Sequence, residues 1–401
     1  MKIAITGATG FVGKSLVPIL ENAGVELLLV GREPQRILRE FPQHAACGYD
    51  ELERHATGFD LLLHLAVVNN DKDASDEIFH DVNVRHLLEV AAIAKRADIL
   101  RFVNISSIHA LNPYDLSPYA RSKREAVRRL AETKGIATTT IFLPAIYGDR
   151  WSGKLSLLNR LPKPLARILF QALAAIKPVM HVSRLAKYLL SNAATEDDTE
   201  VILSDGQSNN FIYQVIRRII DVSFAIAVFV FFWWALILIW GLIRLQSPGP
   251  GLFAQKRVGQ NGVVFTCYKF RTMHAGTAQA ATNQISSSAV TRLGHTLRKT
   301  KLDELPQIWN ILRNEIGLIG PRPCLPVQQE LVEARRMRGV LRLKPGISGL
   351  AQINDIDMSD PERLARWDAR YMALQSLLLD VKIILMTAKG GGRGDRVSDH
   401  P

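Results

Sequence analysis

The 401-residue sequence predicts an α/β protein built in three parts. In the first part, short apolar strands alternate with amphipathic helices, which is the pattern of a doubly wound parallel sheet. A hydrophobic stretch from about 219 to 245 follows and predicts a membrane-embedded helix. The third part is basic and rich in Gly and Pro turns, which favours a small, mainly helical α+β domain. We therefore expect domains over 1–210 and 211–388 and a disordered tail over 389–401.

The composition narrows the class of protein. The formal net charge of +12 favours an anionic partner such as a phosphorylated substrate or a lipid surface. No nucleic-acid-binding module is recognisable in the sequence, so neither DNA nor RNA is an expected partner. The cysteines Cys47, Cys267 and Cys324 are far apart and form no C-x-x-C pair, which argues against a disulfide framework or a zinc site and favours a reducing compartment. Met1 and Lys2 lead straight into a strand-like stretch, so no signal peptide is expected.

Short apolar runs predict five strands in the N-terminal part. They are Lys2–Thr6, Glu26–Val30, Leu61–Leu65, Arg101–Ile105 and Thr138–Leu143. A later run, Leu165–Ile176, has a broad apolar face. It predicts a helix in the core of this domain, with membrane contact as the second interpretation.

The hydrophobic stretch has the length that a membrane helix needs. From Phe224 to Ile243 there are twenty residues without a charge. The run is apolar on every face, which disfavours a buried helix of a soluble protein. Arg217, Arg218 and Arg244 place positive charge at both ends, so the positive-inside rule gives no orientation. This pattern is typical of a segment whose two ends lie on the same side of the membrane.

Glycines lie where the first predicted strand meets the first predicted helix. Gly7, Gly10 and Gly13, with Phe11 and Val12 among them, allow a tight turn in which backbone N–H groups approach a pyrophosphate. Because the motif directly follows the first strand, we interpret it as a dinucleotide-binding turn rather than as a structural turn.

The end of the second strand indicates which dinucleotide binds. Sites that prefer NAD usually offer Asp or Glu there to the ribose hydroxyls, whereas this sequence has Gly31-Arg32. Arg32, with Arg36 nearby, can instead meet a 2′-phosphate. The sequence therefore favours NADP(H), with NAD and a merely solvated Arg32 as the alternatives.

Three polar residues form a candidate proton-transfer site. Tyr119 and Lys123 are spaced to share one face of a helix, and Ser107 comes about a dozen residues earlier. A tyrosine hydroxyl can exchange a proton with a carbonyl or an alcohol when a nearby ammonium lowers its pKa. A serine hydroxyl can orient the oxygen that receives the proton.

With these motifs, residues 1–205 resemble the extended short-chain dehydrogenase/reductase family, the NAD-dependent epimerase/dehydratase family of nucleotide-sugar enzymes. The resemblance also covers 60–66, Asn83, 144–148 and His181-Val182. It implies a Rossmann-type fold for the N-terminal domain.

The resemblance also implies roles for single residues. Ser107, Tyr119 and Lys123 would form the catalytic triad, with Tyr119 as the acid/base. Lys123 would in addition bond the nicotinamide ribose, and Leu65 and Ala66 would lie beside the cofactor.

One departure from that family narrows the reaction. Its 4,6-dehydratases carry two carboxylates just after the triad serine, where this sequence has Ile108-His109. Dehydration is therefore not expected, although His109 can substitute as a base. The open choices are reduction of a 4-keto sugar, 4-epimerisation, and a non-catalytic nucleotide-binding regulatory module.

An acidic pair, Asp303-Glu304, stands among many Arg and Lys residues in the C-terminal part. Transfer of a phosphoryl group needs its negative charge offset, which Arg, Lys or Mg²⁺ can do. An Asp near such cations stays ionised and can attack phosphorus, while a second carboxylate can hold a metal or manage a proton. Simple charge pairing on a basic surface, as in a membrane-bound scaffold, is the alternative.

Residues 215–388 resemble the monotopic phosphoglycosyl transferases, the bacterial sugar transferases that start surface-glycan assembly. The motifs that carry the resemblance are 255–259, 268–273, 292–294, 297–300, 302–307, 309–310, 320–323 and 345–352.

The resemblance implies a mechanism in which Asp303 attacks the β-phosphate of a UDP-sugar and UMP leaves. The phosphosugar then passes to undecaprenyl phosphate. Mg²⁺ would be held by Asp303 and Glu304. Lys269, Arg271, Arg298 and Arg322 are the implied phosphate contacts.

The sequence departs from this family at several positions. The family's membrane helix is re-entrant and usually broken by Ser-Pro, but no proline lies between Ile219 and Leu245. We keep the re-entrant path, because NADP(H) and nucleotide sugars are cytoplasmic and a simple span would separate the two sites. This predicts a protein of the bacterial inner membrane with both domains facing the cytoplasm. Cys324 and Asn354-Asp355 stand where the family has Glu and Asn-Gly, so substrate contacts there are not carried over.

The fusion of the two regions favours a reductase that makes the sugar which the transferase uses. We therefore predict that the N-terminal domain reduces a UDP-4-keto-6-deoxy-HexNAc with NADPH. A UDP-sugar 4-epimerase and a regulatory module remain the alternatives. The resemblance to both families is compatible with a homodimer.

Overall fold

The computed structural model of the protein describes most of the chain: residues 1–68, 75–149, 151, 153–191, 199–277 and 289–391. The described chain divides into two compact units. The N-terminal unit is Met1–Ala166 with Pro178–Asp205, and the C-terminal unit is Arg167–Lys177 with the chain from Gly206 onward. The predicted tail beyond residue 391 lies outside the described residues.

The N-terminal unit contains a seven-stranded parallel sheet in the order β3-β2-β1-β4-β5-β6-β9, and a separate parallel pair, β7-β8. In chain order the strands are β1 (Lys2–Thr6), β2 (Glu26–Val30), β3 (Ala45–Cys47), β4 (Leu61–His64), β5 (Arg101–Ser107), β6 (Ala137–Leu143), β7 (Ala145–Tyr147), β8 (Val179–His181) and β9 (Glu200–Ile202). The five predicted strands are confirmed, and β5 continues two residues further than predicted, so that Ser107 lies at its carboxyl end.

Helices cover both faces of this sheet. They are α1 (Phe11–Asn22), α2 (Pro34–Glu40), α3 (Leu52–His55), α4 (Asp76–His80), α5 (His86–Arg96), α6 (Pro118–Ala131) and α8 (Val182–Ser191). Between α6 and α8 in the chain, α7 (Lys163–Ile176) begins in this unit, but from Arg167 onward it belongs to the C-terminal unit. Along β1, Ile3 and Ile5 pack into one core with α1 and α8, while Ala4 packs into the other with α5 and α6. Successive side chains of a strand point to opposite faces, so the alternation fills both layers and the predicted doubly wound fold is confirmed.

The prediction for Leu165–Ile176 is correct about the helix but wrong about its burial in a core. The helix α7 forms, but five of its large apolar side chains are 40–56% exposed. They are Leu165, Ile168, Leu169, Leu173 and Ile176. The buried side chains of α7 are small and include Ala166, Ala174 and Ala175.

The C-terminal unit is mainly helical, with two small sheets. Its elements are α9 (Phe211–Gln246), β10 (Leu252–Val258), β11 (Val264–Phe270), α10 (Arg292–Thr300), α11 (Ile308–Leu312), β12 (Gly317–Ile319), α12 (Gln329–Met337), β13 (Gly346–Ser348), α13 (Pro361–Leu374) and α14 (Leu377–Ala388). The strands β10 and β11 form an antiparallel hairpin, and β12 and β13 form a parallel pair.

The helix α9 alone, among the described residues, has the length and apolar composition to cross a membrane. Its 36 residues extend about 54 Å without a break. One face packs on the C-terminal unit along most of the helix, from Ala225 and Val228 to Ile239 and Ile243. The other face exposes large apolar side chains, Trp233 among them. The re-entrant path stays a prediction, because α9 is a single continuous helix with no break between Phe211 and Gln246.

Buried hydrogen bonds fix the first turns of α9 to the C-terminal unit. Asp380 on α14 accepts from the hydroxyls of Tyr213 and Tyr371, both at 2.7 Å. Arg217 donates to the Tyr213 hydroxyl at 3.2 Å. The carboxylate of Asp221 accepts from the backbone N–H of Leu318 at 2.8 Å. Satisfied networks of this kind hold a helix rigidly, because each buried polar group would be costly to leave unpaired.

Candidate active sites

The predicted acidic pair lies on a short 3₁₀-helix, Leu302–Gln307, directly after α10. Lys301 ends α10 in the left-handed conformation, with φ +58°, and so redirects the chain. Glu304 is buried and packs toward the end of β11, whereas Asp303 occupies the preceding position of the same turn.

Glu304 is held as an anion by two cations. Its Oε1 lies 2.8 Å from Lys269 Nζ on β11 and 3.0 Å from Arg322 Nη2. Burial alone would raise the pKa of Glu304, but the charges and hydrogen bonds of Arg322 and Lys269 lower it to about 2. The carboxylate of Glu304 is therefore ionised throughout the physiological pH range.

Asp303 has the opposite shift. Burial and the negative charge of Glu304 raise the pKa of Asp303 to about 6, against the lowering effect of Lys269, Arg322 and Arg298. At neutral pH this carboxylate is mostly ionised but more basic than an ordinary surface aspartate. That combination suits a nucleophile directed at phosphorus.

The four predicted phosphate contacts do not all meet at the acidic pair. Lys269, Arg298 and Arg322 act electrostatically on Asp303, and Arg298 also donates to the Thr272 hydroxyl at 3.0 Å. Arg271 is buried and has different partners.

Arg271 donates to the backbone oxygens of Ser247 at 2.6 Å and Pro248 at 2.8 Å. It thereby ties the end of β11 to the end of α9. A phosphate contact by Arg271 remains a prediction. The contacts that Arg271 makes in the structure hold the chain together at this point.

Two charged residues with contacts near this site were not predicted from the sequence. Burial lowers the pKa of Lys301, while the negative charges of Glu304 and Asp303 act to raise it. Its position two residues before Asp303 could have indicated it. Arg335 donates to the Arg322 backbone oxygen at 2.9 Å and forms a buried ion pair with Asp368 at 2.8 Å. No sequence pattern links these three residues, because 13 and 33 positions separate Arg335 from its partners.

The N-terminal unit presents a second candidate site at the end of β1. Gly7 has φ +74°, and a Cβ there would lie 2.8 Å from the Ala66 backbone nitrogen, next to Leu65. Gly13 packs so closely that a Cβ would lie 2.4 Å from the Ala8 oxygen. Gly10 begins α1 without a side-chain cap, which leaves the first N–H groups for an anion. Phe11 is 40% exposed beside them, and Val12 is partly buried against the core.

Arg32 lies in the turn after β2, as the cofactor prediction requires. Its side chain is exposed, and its charge acts on Tyr49, whose pKa is raised mainly by burial. Arg36 is likewise exposed, one turn further along in α2. An exposed guanidinium at this strand end fits a 2′-phosphate.

The structure brings Tyr119 and Lys123 together on α6. Lys123 Nζ lies 6.0 Å from the centre of the Tyr119 ring, and only 3% of Lys123 is exposed. Burial lowers the pKa of Lys123 to about 7. Ser107 ends the neighbouring strand β5, where its hydroxyl oxygen accepts from the backbone N–H of His109 at 3.3 Å.

His109 also adjoins this site. Its ring centre lies 6.2 Å from that of Tyr119, and its Nδ1 lies 2.8 Å from Asp115 Oδ2. Asn83, from the resemblance, lies on a single π-helical turn, Asp81–Arg85, and donates to the Ser122 hydroxyl at 3.1 Å. The Asn83 contact ties α6 to the π-helical turn.

Comparison with known proteins identifies the family. The family model described as bacterial sugar transferase matches residues 212–392, and that of the NAD dependent epimerase/dehydratase family matches residues 3–200. The chain is 33% identical over 177 residues to the uncharacterized sugar transferase EpsL of Bacillus subtilis, a match that covers 44% of this chain and 86% of that protein. The chain belongs to the bacterial sugar transferase family. Both resemblances predicted from the sequence are confirmed.

Other members of the bacterial sugar transferase family have named reactions. The UDP-glucose:undecaprenyl-phosphate glucose-1-phosphate transferase of Caulobacter vibrioides is 36% identical over 181 residues, covering 43% of this chain and 67% of that protein. The galactosyl transferase CpsE of Streptococcus agalactiae is 35% identical over 158 residues, covering 36% of this chain and 35% of that protein. This bacterial sugar transferase thus spans about a third of the length of several curated relatives that it matches.

The chain is also similar to solved structures. The UDP-N-acetylglucosamine 4-epimerase from Bacillus cereus superposes with a TM-score of 0.40 at 18% identity, covering 55% of this chain and 81% of that one.

Proposed function

We propose that the C-terminal unit transfers a sugar 1-phosphate from a UDP-sugar to undecaprenyl phosphate through an intermediate on Asp303. One observation carries the proposal: the half-buried, ionisable carboxyl group of Asp303 lies beside Glu304 and is acted on electrostatically by Lys269, Arg298 and Arg322. Family membership supports it, since relatives are named for transfer of glucose 1-phosphate to undecaprenyl phosphate.

The reaction has two displacements at one phosphorus. A carboxylate oxygen of Asp303 attacks the β-phosphorus of the UDP-sugar, the bond from that phosphorus to the α-phosphate oxygen breaks, and UMP leaves with the electron pair. An oxygen of undecaprenyl phosphate then attacks the same phosphorus, and the bond to Asp303 breaks. Lys269, Arg298 and Arg322 offset the negative charge that builds up in both steps.

The acidic pair offers two carboxylates to a divalent metal. Among the described residues no group of three or more His, Cys, Asp or Glu side chains converges. Mg²⁺ does not need such a group, since it commonly binds one or two carboxylates together with substrate phosphates. Asp303 and Glu304 would hold it, with Asp303 the more available because Glu304 Oε1 is shared by Lys269 and Arg322. When bound, Mg²⁺ would help to neutralise the diphosphate.

For the N-terminal unit we propose reduction of a UDP-4-keto-6-deoxy-HexNAc. The glycine turn at Gly7 and the exposed Arg32 fit NADP(H), which when bound would supply a hydride to C4. The Tyr119 hydroxyl gives its proton to the C4 oxygen as the carbonyl becomes an alcohol. Ser107 orients that oxygen, and Lys123, held beside Tyr119, bonds the nicotinamide ribose.

We further propose that the protein works at the bacterial inner membrane with both units on the cytoplasmic side. The apolar, exposed face of α9 supports membrane contact. The start and the end of α9 pack on the same unit, through Arg218 and Ile243 for example. A helix held at both ends by one globular unit is hard to reconcile with a simple span that separates its ends.

The test of the transferase uses the full chain in nanodiscs. A UDP-sugar is added without acceptor, and UMP is followed together with radiolabelled sugar retained on the protein. We expect a burst of UMP matched by covalent label, both lost in Asp303→Asn. The control Glu333→Gln changes an exposed carboxylate of the same unit and should retain both. UMP that appears only with undecaprenyl phosphate, without label on the protein, would contradict the intermediate.

The test of the N-terminal unit follows NADPH oxidation with the 4-keto substrate. Oxidation that Tyr119→Phe abolishes would support the reductase. A C4-epimer formed without added NADPH would instead establish the epimerase. If Tyr119→Phe leaves the total glycolipid unchanged for every sugar supplied, the unit is a regulatory module.

A further inference from the structure

The helix α7 carries an apolar stripe that the protein leaves uncovered. Leu165, Ile168, Leu169, Leu173 and Ile176 recur at helical spacing, so that they share one face. Between 40% and 56% of each residue is exposed. Outside the stripe, the helix is anchored through small buried residues, Ala166, Ala174 and Ala175. A stripe of this kind is typical of a helix that contacts something apolar beyond its own domain.

The sequence on both sides of α7 is basic. Residues 150–195 contain eight Lys or Arg and no Asp or Glu. Lys163, Arg167 and Lys177, within or directly after α7, are exposed. An apolar stripe flanked by cations matches a helix that lies in the surface of an anionic membrane. It matches a second copy of this chain poorly, because two such surfaces would bring like charges together.

Hydrogen bonds connect α7 to two other helices with exposed apolar faces. The amide of Gln207 donates to the backbone oxygens of Ala174 in α7, at 2.7 Å, and of Gln375 just before α14, at 3.0 Å. Asn210, which caps α9, donates to the Gln171 backbone oxygen at 2.9 Å. Gln207 and Asn210 are buried, so these contacts are fixed parts of the C-terminal unit.

The helices that meet at these two residues share their apolar character. Along α14, Leu378, Val381 and Leu385 are 44–56% exposed, and α9 exposes apolar side chains for most of its length. Residues 167–177, which contain most of α7, belong to the same compact unit as both of them. The stripe of α7 is therefore held close to the part of the chain with the most extensive exposed apolar surface.

We propose that α7 is a membrane-surface helix. Its Leu and Ile stripe enters the acyl boundary of an anionic bilayer, and Lys163, Arg167 and Lys177 pair with lipid phosphates. This surface lies outside residues 212–392, the part of the chain that matches the bacterial sugar transferase family. It does not depend on either proposed reaction.

The test places a fluorescent probe on the stripe of the full-length protein. Cys47, Cys267 and Cys324 are buried, so a new exposed thiol can be labelled selectively. Leu169→Cys carries an environment-sensitive dye, and the control Glu132→Cys carries it at an exposed position directly after α6. Both proteins are held in nanodiscs of phosphatidylglycerol and phosphatidylcholine, with or without lipids that bear a spin label in the upper acyl chain.

We expect a blue-shifted emission at position 169 that the spin-labelled lipid quenches at least twofold more than at position 132. Emission at 169 like that of a dye in water would overturn the proposal. So would a blue shift that spin-labelled lipid does not quench, because protein would then cover the stripe. The readout needs no substrate, so its failure is separate from a failure of the proposed reactions.

The charge requirement is tested in the same format. Replacing Lys163, Arg167 and Lys177 by Ser should reduce quenching at position 169 in anionic nanodiscs to the level seen in phosphatidylcholine alone. The labelled protein that keeps all three cations is compared in anionic and in phosphatidylcholine nanodiscs. If its dye is quenched equally in both, the assignment to an anionic surface is overturned.

Discussion

Lys269 Nζ lies 2.8 Å from Glu304 Oε1, and this ion pair connects β11 to the 3₁₀-helix that carries both acidic residues. It has a consequence for the neighbouring residue. Glu304 is fixed as an anion, so its charge helps to raise the pKa of Asp303 to about 6 after burial has done the larger part. Two adjacent carboxyl groups thereby acquire different chemistry, one as a permanent negative charge and one as a basic nucleophile.

The first prediction concerns the acid limb of UMP release. The active form of Asp303 is the carboxylate, so the rate should fall as the pH falls through about 6, where this group becomes protonated. Glu304→Gln removes the negative charge that helps to raise the pKa of Asp303. The acid limb should therefore move to lower pH, by roughly one unit, even if the maximal rate falls as well. The measurement is the burst of UMP as a function of pH.

Lys269→Met should move the same limb in the opposite direction. The ammonium of Lys269 lowers the pKa of Asp303, and its removal should make protonation easier. Glu333→Gln, which changes an exposed ion pair with Arg336, should leave the limb in place. An acid limb that Glu304→Gln and Lys269→Met shift in the same direction would show that Asp303 does not control it.

The second prediction concerns the ion pair beneath Arg322. Asp368 accepts two hydrogen bonds from Arg335, and 4% or less of either side chain is exposed. Asp368→Asn leaves the Arg335 charge buried without its counter-ion and should cost roughly 3–5 kcal/mol of stability in the C-terminal unit. Thermal unfolding, followed through this unit, measures the loss.

An exposed ion pair serves as the comparison. Arg338 and Glu362 lie 2.8 Å apart, but their side chains are 27% and 57% exposed. Glu362→Gln should therefore cost no more than about 1 kcal/mol. If Asp368→Asn lowers the stability by no more than Glu362→Gln does, then the interior around Arg335 admits water or rearranges.

The sequence predicted the parts of the fold that depend on local pattern. Each of the five predicted strands is a continuous run with one dominant signal, such as Lys2–Thr6. The strands β3 and β9 were missed, because three residues such as Ala45–Cys47 and Glu200–Ile202 carry too little pattern. The packing of α7 was mistaken for a different reason. A broad apolar face gives the same periodicity whether it meets a core or a membrane.

The candidate site also has parts that the sequence predicts and parts that it does not. Asp303 and Glu304 stand out in the sequence because two acids interrupt a basic region. The sequence does not show which arginine pairs with these two acids, because some arginines instead donate to backbone oxygens far away in the chain. Arg271 bonds Ser247, 24 residues earlier, while the equally basic Arg322 reaches Glu304. Only the folded chain separates these two roles.

The third prediction separates strain from crowding in the glycine turn. Gly7 and Gly24 have nearly equal φ angles, +74° and +76°, but their surroundings differ. A Cβ at Gly7 would lie 2.8 Å from the backbone of Leu65 and Ala66, whereas a Cβ at Gly24 would meet nothing within 4 Å. Gly24→Ala should cost about 1–2 kcal/mol from the left-handed conformation alone. Gly7→Ala should cost clearly more and should also weaken NADPH binding.

The free energy of unfolding and the enhancement of NADPH fluorescence measure the two effects. Equal stability losses for Gly7→Ala and Gly24→Ala would show that β1 and β4 can move apart at the turn. Unchanged NADPH binding in Gly7→Ala would place the cofactor elsewhere.

The fourth prediction concerns cofactor choice. Arg32 is exposed after β2, where a 2′-phosphate would lie, and its guanidinium can form charge-assisted hydrogen bonds worth about 1.5–3 kcal/mol. Arg32→Asp removes those bonds and offers a carboxylate to ribose hydroxyls instead, so the ratio of kcat/KM for NADPH to that for NADH should fall by at least about tenfold. Arg39→Asp, an exposed arginine near the end of α2, controls for the loss of positive charge from this surface. A ratio that falls equally in both variants would indicate a general electrostatic effect, whereas a ratio that moves only with Arg32 identifies the residue that reads the 2′-phosphate.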